Sequence, residues 1–140
     1  MNSSFWQRRW WSFFAVIMVV LVSLPALPPQ VADASATGCR VGGGGKFCFK
    51  VDGTGKYVRT VTFERFRTGR ICDPNVTVLI KDNNGYVIPS NIPPYSQKGC
   101  WTAAYSVKIN IDQRFPDNAS QICGQWRENG YFSEVCHRMK

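Results

Sequence analysis

Glu134, His137 and Arg127 are the residues whose types suit them to work together on one phosphate. A carboxylate would serve as general base, an imidazole as general acid and a guanidinium as the cation beside the anionic centre. Glu64 is a second candidate base, and Arg65, Arg67 and Arg138 are further candidate cations. In a small exported protein such a set points to RNA cleavage. No motif ties these residues together, however, and His137, the only histidine, lies one residue past a cysteine near the end of the sequence. For one acid and one base to serve one phosphate, His137 must lie within about 6 to 8 Å of a carboxylate and an arginine in a cleft. A position on an open flank would sink the idea.

Other reactions find less support. No Gly-x-Ser-x-Gly elbow occurs, and His137 would be the only histidine base for a hydrolytic triad. Carboxylates for sugar cleavage are available in Glu64, Asp73, Asp82, Asp112, Glu128 and Glu134, but spacing selects no pair among them. Gly42 to Gly45 followed by Lys46 looks superficially like a phosphate-binding loop, yet Phe47 stands where Ser or Thr should follow the lysine. Glycine's turn chemistry explains that stretch better. A ribonuclease-type enzyme using Glu134, His137 and Arg127 is therefore the alternative reading; a non-enzymatic role is expected, without cofactor, metal or nucleotide.

A binding role asks less of the residues. Exposed Tyr, Trp and Arg dominate interface energetics, and strands held by disulfides present a surface with little conformational loss. Arg59, Arg65 and Arg67 fall among aromatic residues on one strand, and Arg127 and Phe132 lie near the end of the chain. These five are the expected binding residues. The expected partner is another secreted or cell-surface protein, or an anionic polymer. A solvated strand face is the simpler account of the first three arginines, and core packing is the simpler account of Trp126.

These residues must be positioned by an exported domain. Arg8 and Arg9 precede an apolar run over 12–24, Pro25, Pro28 and Pro29 interrupt the chain after that run, and small-x-small sites occur at Ala32-Asp33-Ala34 and Ala34-Ser35-Ala36. That is the pattern of a signal peptide over 1–36, cleaved near 34 or 36. It leaves one domain over 37–140, secreted to the extracellular space, with periplasm or cell surface as variants and no stable membrane insertion after cleavage. An uncleaved anchor is the competing possibility, because Trp10 to Leu27 is a nearly continuous apolar stretch long enough to span a bilayer. The chain carries a formal charge of +8, and losing Arg8, Arg9 and Asp33 with the leader leaves 15 basic and 8 acidic residues. Such a balance attracts anionic surfaces without choosing among them.

All six cysteines, Cys39, Cys48, Cys72, Cys100, Cys123 and Cys136, lie beyond the proposed cleavage point. An even count in an exported domain reads as three disulfides, and the absence of Cys-x-x-Cys argues against zinc. Asn129-Gly130 is a strong hairpin signal, since a type I′ turn needs positive φ at both central residues. Counting outward from it sets Cys123 opposite Cys136 in a non-hydrogen-bonded pair, where side chains approach most closely. A turn at Gly43-Gly44 sets Cys39 opposite Cys48 with the same parity. Elimination leaves Cys72 with Cys100.

The remaining pattern is also β. Phe47, Phe49 and Val51 alternate, Asp52 to Gly55 reads as a turn, and Lys56 to Phe66 reads as a strand whose parity break at Phe66 a bulge near Glu64 would reconcile. Val76 to Ile80 and Tyr86 to Ile88 form a hairpin, Pro89 to Gly99 a loop, and 113–120 a second loop. From Trp101 to Asp112 apolar and polar residues alternate strictly, which predicts a long strand with one buried face, the best candidate for the central one. A helix starting at Asn118 and stopped by Gly130 competes with the last hairpin, but Gly124 in its middle disfavours it by about 1 kcal/mol. Asn75 and Asn118 head glycosylation sequons. The expected fold is all-β, a small disulfide-stapled antiparallel β-sandwich or barrel.

Overall fold

The computed structural model describes residues 35–140; the proposed leader falls almost wholly outside them. Nine strands succeed one another: β1 (Ala36–Gly42), β2 (Gly45–Thr54), β3 (Tyr57–Cys72), β4 (Asn75–Lys81), β5 (Val87–Ile88), β6 (Tyr95–Ser96), β7 (Cys100–Arg114), β8 (Gln121–Glu128) and β9 (Tyr131–Arg138). They form two antiparallel sheets in a sandwich-like arrangement, one ordered β1-β2-β3-β7 and the other β5-β4-β8-β9 with β6 also on β4. Among the described residues there is no helix, and none long and apolar enough to cross a membrane.

Turn chemistry fixes the register. Gly43 and Gly44 have φ of 57° and 71°, and Asn129 and Gly130 have φ of 39° and 77°, the left-handed values a type I′ turn requires. Strand pairing propagates from those turns, so Cys39 faces Cys48 and Cys123 faces Cys136. Disulfides join both pairs, and a third joins Cys72 to Cys100 across β3 and β7. The Cα atoms of each pair are 4.0 to 4.1 Å apart, the close approach of a non-hydrogen-bonded pair. Cys48 and Cys123 have the parity opposite to the apolar residues of their strands, so these two hairpin bridges staple the sheets from outside and leave the interior to side-chain packing.

The interior is aromatic. Phe47, Phe49, Phe63 and Trp126 are fully buried. Their rings stack or tilt against one another at 5.0 to 6.3 Å between centroids, within the favourable range for aromatic pairs. Tyr105 of β7 meets Trp126 at 5.9 Å and Trp101 at 4.4 Å, extending the aromatic contacts to β7. Gly124 makes this packing possible: a Cβ there would lie 2.3 to 2.7 Å from three ring carbons of Phe49. Gly124→Ala is therefore expected to cost about 1–3 kcal/mol through overpacking, read as a lower urea midpoint with an unchanged denaturant slope.

Several local expectations are corrected. Residues 52–54 continue β2 through a register shift at Asp52/Gly53, and the turn is confined to Gly55 and Lys56. No irregularity occurs at Glu64; β3 stays regular there, and Phe66 breaks parity because it points outward, 43% exposed. The loop after Pro89 contains the two-residue β6; the hairpin expected around Asn129-Gly130 is present, with β8 paired to β9. The largest correction concerns β7. Its alternation is as expected, but it is an edge strand, paired only with β3, so its inward residues Tyr105, Val107, Ile109 and Ile111 are only half-buried.

Candidate functional site

Strand parity separates the proposed catalytic residues. Along β9, Tyr131, Ser133, Val135 and His137 face inward and Phe132, Glu134 and Cys136 face outward. His137 Nε2 lies 3.0 Å from the Phe49 carbonyl, and its ring stacks on Phe49 at 5.7 Å beside Gly38. Glu134 sits on the outer face, where it accepts hydrogen bonds of 2.7 Å from Lys81 and from Gln125. Partial burial pushes this carboxyl up, but the bonds from Lys81 and Gln125 outweigh it and hold the pKa below its ordinary value, which suits an ion-paired structural group more than a general base. Arg127 is also outward, stacked over Phe132. The sheet therefore lies between the candidate acid and the candidate base.

Arg65, expected in a binding surface, is instead the most buried cation among the described residues. It shares parity with Val61 and Phe63, so its side chain enters the sandwich, where it is fully inaccessible to solvent. Nε donates to Glu128 Oε1 at 2.9 Å, Nη1 to the Gly42 carbonyl at 3.1 Å and Nη2 to the Gly43 carbonyl at 2.8 Å. The guanidinium lies over the Tyr131 ring at 4.3 Å. Arg67, three-quarters buried, gives Glu128 Oε1 a second contact at 3.3 Å. One arginine thus ties the β1–β2 turn to the β8–β9 turn across the sandwich. Burial of a charge is tolerable only with such pairing and hydrogen bonding.

The other expected binding residues divide between the two ends of the molecule. Arg59 is exposed and pairs with Asp52 at 3.3 Å near the β2–β3 turn, about 20 Å along the strand from Arg65 at 3.3 Å per residue. Arg127 and Phe132 are at the opposite end. The Arg127 guanidinium lies 5.3 Å from the Phe132 centroid, and Phe132 is 51% exposed. Beside them opens a concavity of about 520 Å³, to which Asp73, Asn75, Asn129 and Tyr131 also contribute. A second concavity of about 730 Å³, at the β1–β2 turn, is lined by Val41, Lys46, Phe66 and Arg67. Val41, 80% exposed, and Phe66 were not singled out from the sequence; the broken parity of Phe66 was the available signal. Glu128 borders the first hollow and Arg67 the second, so their ion pair stands between the two.

No metal chemistry is evident in these groups. Cys123, Glu134 and Cys136 bring ligand-type atoms within 4.8 Å of one another, but both sulfurs are committed to a disulfide and only the carboxylate remains to bind an ion. Burial, followed by a hydrogen bond with Tyr95, pushes Tyr105 up to about 12, so that phenol stays protonated at neutral pH. Of the two sequon asparagines, Asn118 is exposed on a loop, whereas the Asn75 amide donates to Ser96 on β6. No family model, curated protein or solved structure matches this chain.

Proposed function

We propose that this protein is a secreted, disulfide-stapled interaction module that recognises another secreted or cell-surface protein through the end of the sandwich bearing Arg127 and Phe132. The observation that carries this reading is the half-exposed Phe132 with the Arg127 guanidinium stacked on it, beside a concavity of about 520 Å³. Aromatic and arginine side chains around a hollow are the usual composition of interface hot spots. The Cys123–Cys136 bridge holds the hairpin that presents them, so little ordering is lost on binding. Exposed Val41 and Phe66 with Lys46 and Arg67 extend the same end, and the net charge favours a partner that combines acidic and apolar groups. Three disulfides fit an oxidising compartment.

The test is capture from conditioned medium or solubilised cell surface on the immobilised, oxidised protein, with and without the double substitution Arg127→Ser/Phe132→Ala. A specific protein partner should bind the variant at least about thirtyfold more weakly, the loss expected when even one hot-spot side chain worth about 2 kcal/mol is removed, while its thermal unfolding stays unchanged. Equal retention by both proteins would remove this surface from consideration. Retention that vanishes with salt but ignores Phe132→Ala would instead indicate an anionic polymer bound by charge alone. The ribonuclease-type alternative gains nothing from the geometry, since Glu134 and His137 lie on opposite faces of the second sheet.

A further inference from the structure

We infer that β7 is an association edge that pairs antiparallel with β7 of a second copy of this chain, about a two-fold axis at Val107. A sandwich has four edges, and here three are shielded, although β1 and β9 do not hydrogen-bond to each other as strands. β1 and β9 abut, so closely that a Cβ on Gly38 would lie 2.7 Å from Val135 and 2.9 Å from His137. The β4 side of the second sheet carries only the two-residue β5 and β6, joined by a segment containing Pro89, Pro93 and Pro94, and proline offers no N–H to a further strand. β7 has 15 residues and no proline, and among the described residues it pairs on one side only. Such an edge is a template for another strand unless it is protected.

The regular part of this edge is short and bounded. Ala103 and Asp112 have φ of 68° and 48°, and the register with β3 shifts at both places. Between them, Ala104 to Asn110 pair without interruption with Phe66 to Thr60, and Val107 is the midpoint. A two-fold axis there sets Val107 opposite its symmetry mate, Tyr105 opposite Ile109, Ser106 opposite Lys108 and Ala104 opposite Asn110. The inward residues Tyr105, Val107 and Ile109 are half-buried, although the β3 residues beside them, Arg65, Phe63 and Val61, are fully buried. One missing neighbour accounts for that difference, and a second β7 supplies it with aromatic–β-branched pairs of the kind that stabilise sheets.

The outward row selects a second copy rather than an unrelated strand, because its one charge between Ala104 and Asn110, Lys108, would meet an acidic group that a second copy carries on the neighbouring strand, Glu64 of β3. Ser106 lies directly between Glu64 and the free edge. The Lys108 of a partner copy set opposite Ser106 would extend over that small side chain toward Glu64, and the symmetry makes the same contact twice. No like charges face each other directly. Glu64 meets its own Lys50 through Oε1 only, at 2.8 Å.

Sedimentation velocity on the oxidised protein tests this pairing, with Ser106→Lys and Ser106→Lys/Lys108→Glu as variants; Ser106 is exposed, so neither change touches the core. The wild type should dimerise by roughly 100 µM, as a modest edge interface allows. Ser106→Lys, which places lysine against lysine, should weaken the dimer by about tenfold, and the double variant, with lysine against glutamate, should restore it. A wild type that stays monomeric at that concentration, or a Ser106→Lys variant that dimerises as tightly as wild type, would overturn the proposal. Failure of the double variant to recover the dimer would overturn the register.

Discussion

Arg65→Met should lower the unfolding free energy by about 3–5 kcal/mol, the usual consequence of leaving one member of a buried ion pair without its partner. The side chain it removes is fully buried and donates to three acceptors on two different turns. Glu128 would retain only Arg67, at 3.3 Å and partly exposed, and the Gly42 and Gly43 carbonyls would lose their donors. For a domain of this size each kcal/mol shifts the melting temperature by about 4–8 °C, so a melt followed by circular dichroism separates this outcome from a surface effect. Arg59→Ser, in contrast, removes an exposed pair and should change stability by less than about 1 kcal/mol. A melting temperature for Arg65→Met close to that of Arg59→Ser would show that the first arginine does not brace the fold.

Removing the Cys72–Cys100 bridge is the second large effect. Its cysteines are 28 residues apart, against 13 and 9 for the other two bridges, and the segment it closes contains β4, β5 and β6. Chain entropy values a closed loop of that length at roughly 3–4 kcal/mol. Cys72→Ala/Cys100→Ala should therefore destabilise more than Cys39→Ala/Cys48→Ala when both are followed by urea unfolding. Hydrogen bonds between Asp73 and Gly99 in both directions sit beside the bridge and hold the folded geometry without it. For that reason the loss should come mainly from a freer unfolded chain. The opposite ranking would mean that strain or residual structure, not loop length, governs these bridges.

Two features decide why some of this architecture is legible in the sequence. Asn129-Gly130 and Gly43-Gly44 each favour a two-residue hairpin turn, and a turn of fixed length sets every pair along its hairpin, so the cysteine partners emerge by counting. Alternation likewise gives the inward face of β7. It does not say what lies beside a strand, and for that reason the edge position of β7 and the half-burial of Val107 and Ile109 appear only in the fold. The same distinction governs the candidate site. Arginine is so often exposed that the burial of Arg65 runs against composition, yet its parity with Val61 and Phe63 already pointed inward. Parity also separates Glu134 from His137. The hollows beside Phe132 and Phe66 depend on which turns gather at one end of the sandwich, and no local pattern encodes that.

The location of the recognition surface depends on Arg65 being an internal brace, with Arg127 and Phe132 left to meet a partner. A double-mutant cycle on Arg65→Met and Glu128→Leu, read by equilibrium unfolding, tests this most directly. Glu128→Leu leaves Arg65 buried without its carboxylate and Arg65→Met leaves Glu128 with only the longer Arg67 contact, whereas the two changes together remove both ends of the buried bond, so the double variant should be less destabilised than the sum of the singles by at least about 1 kcal/mol. Additivity to within about 0.5 kcal/mol would contradict a buried, coupled pair at this position.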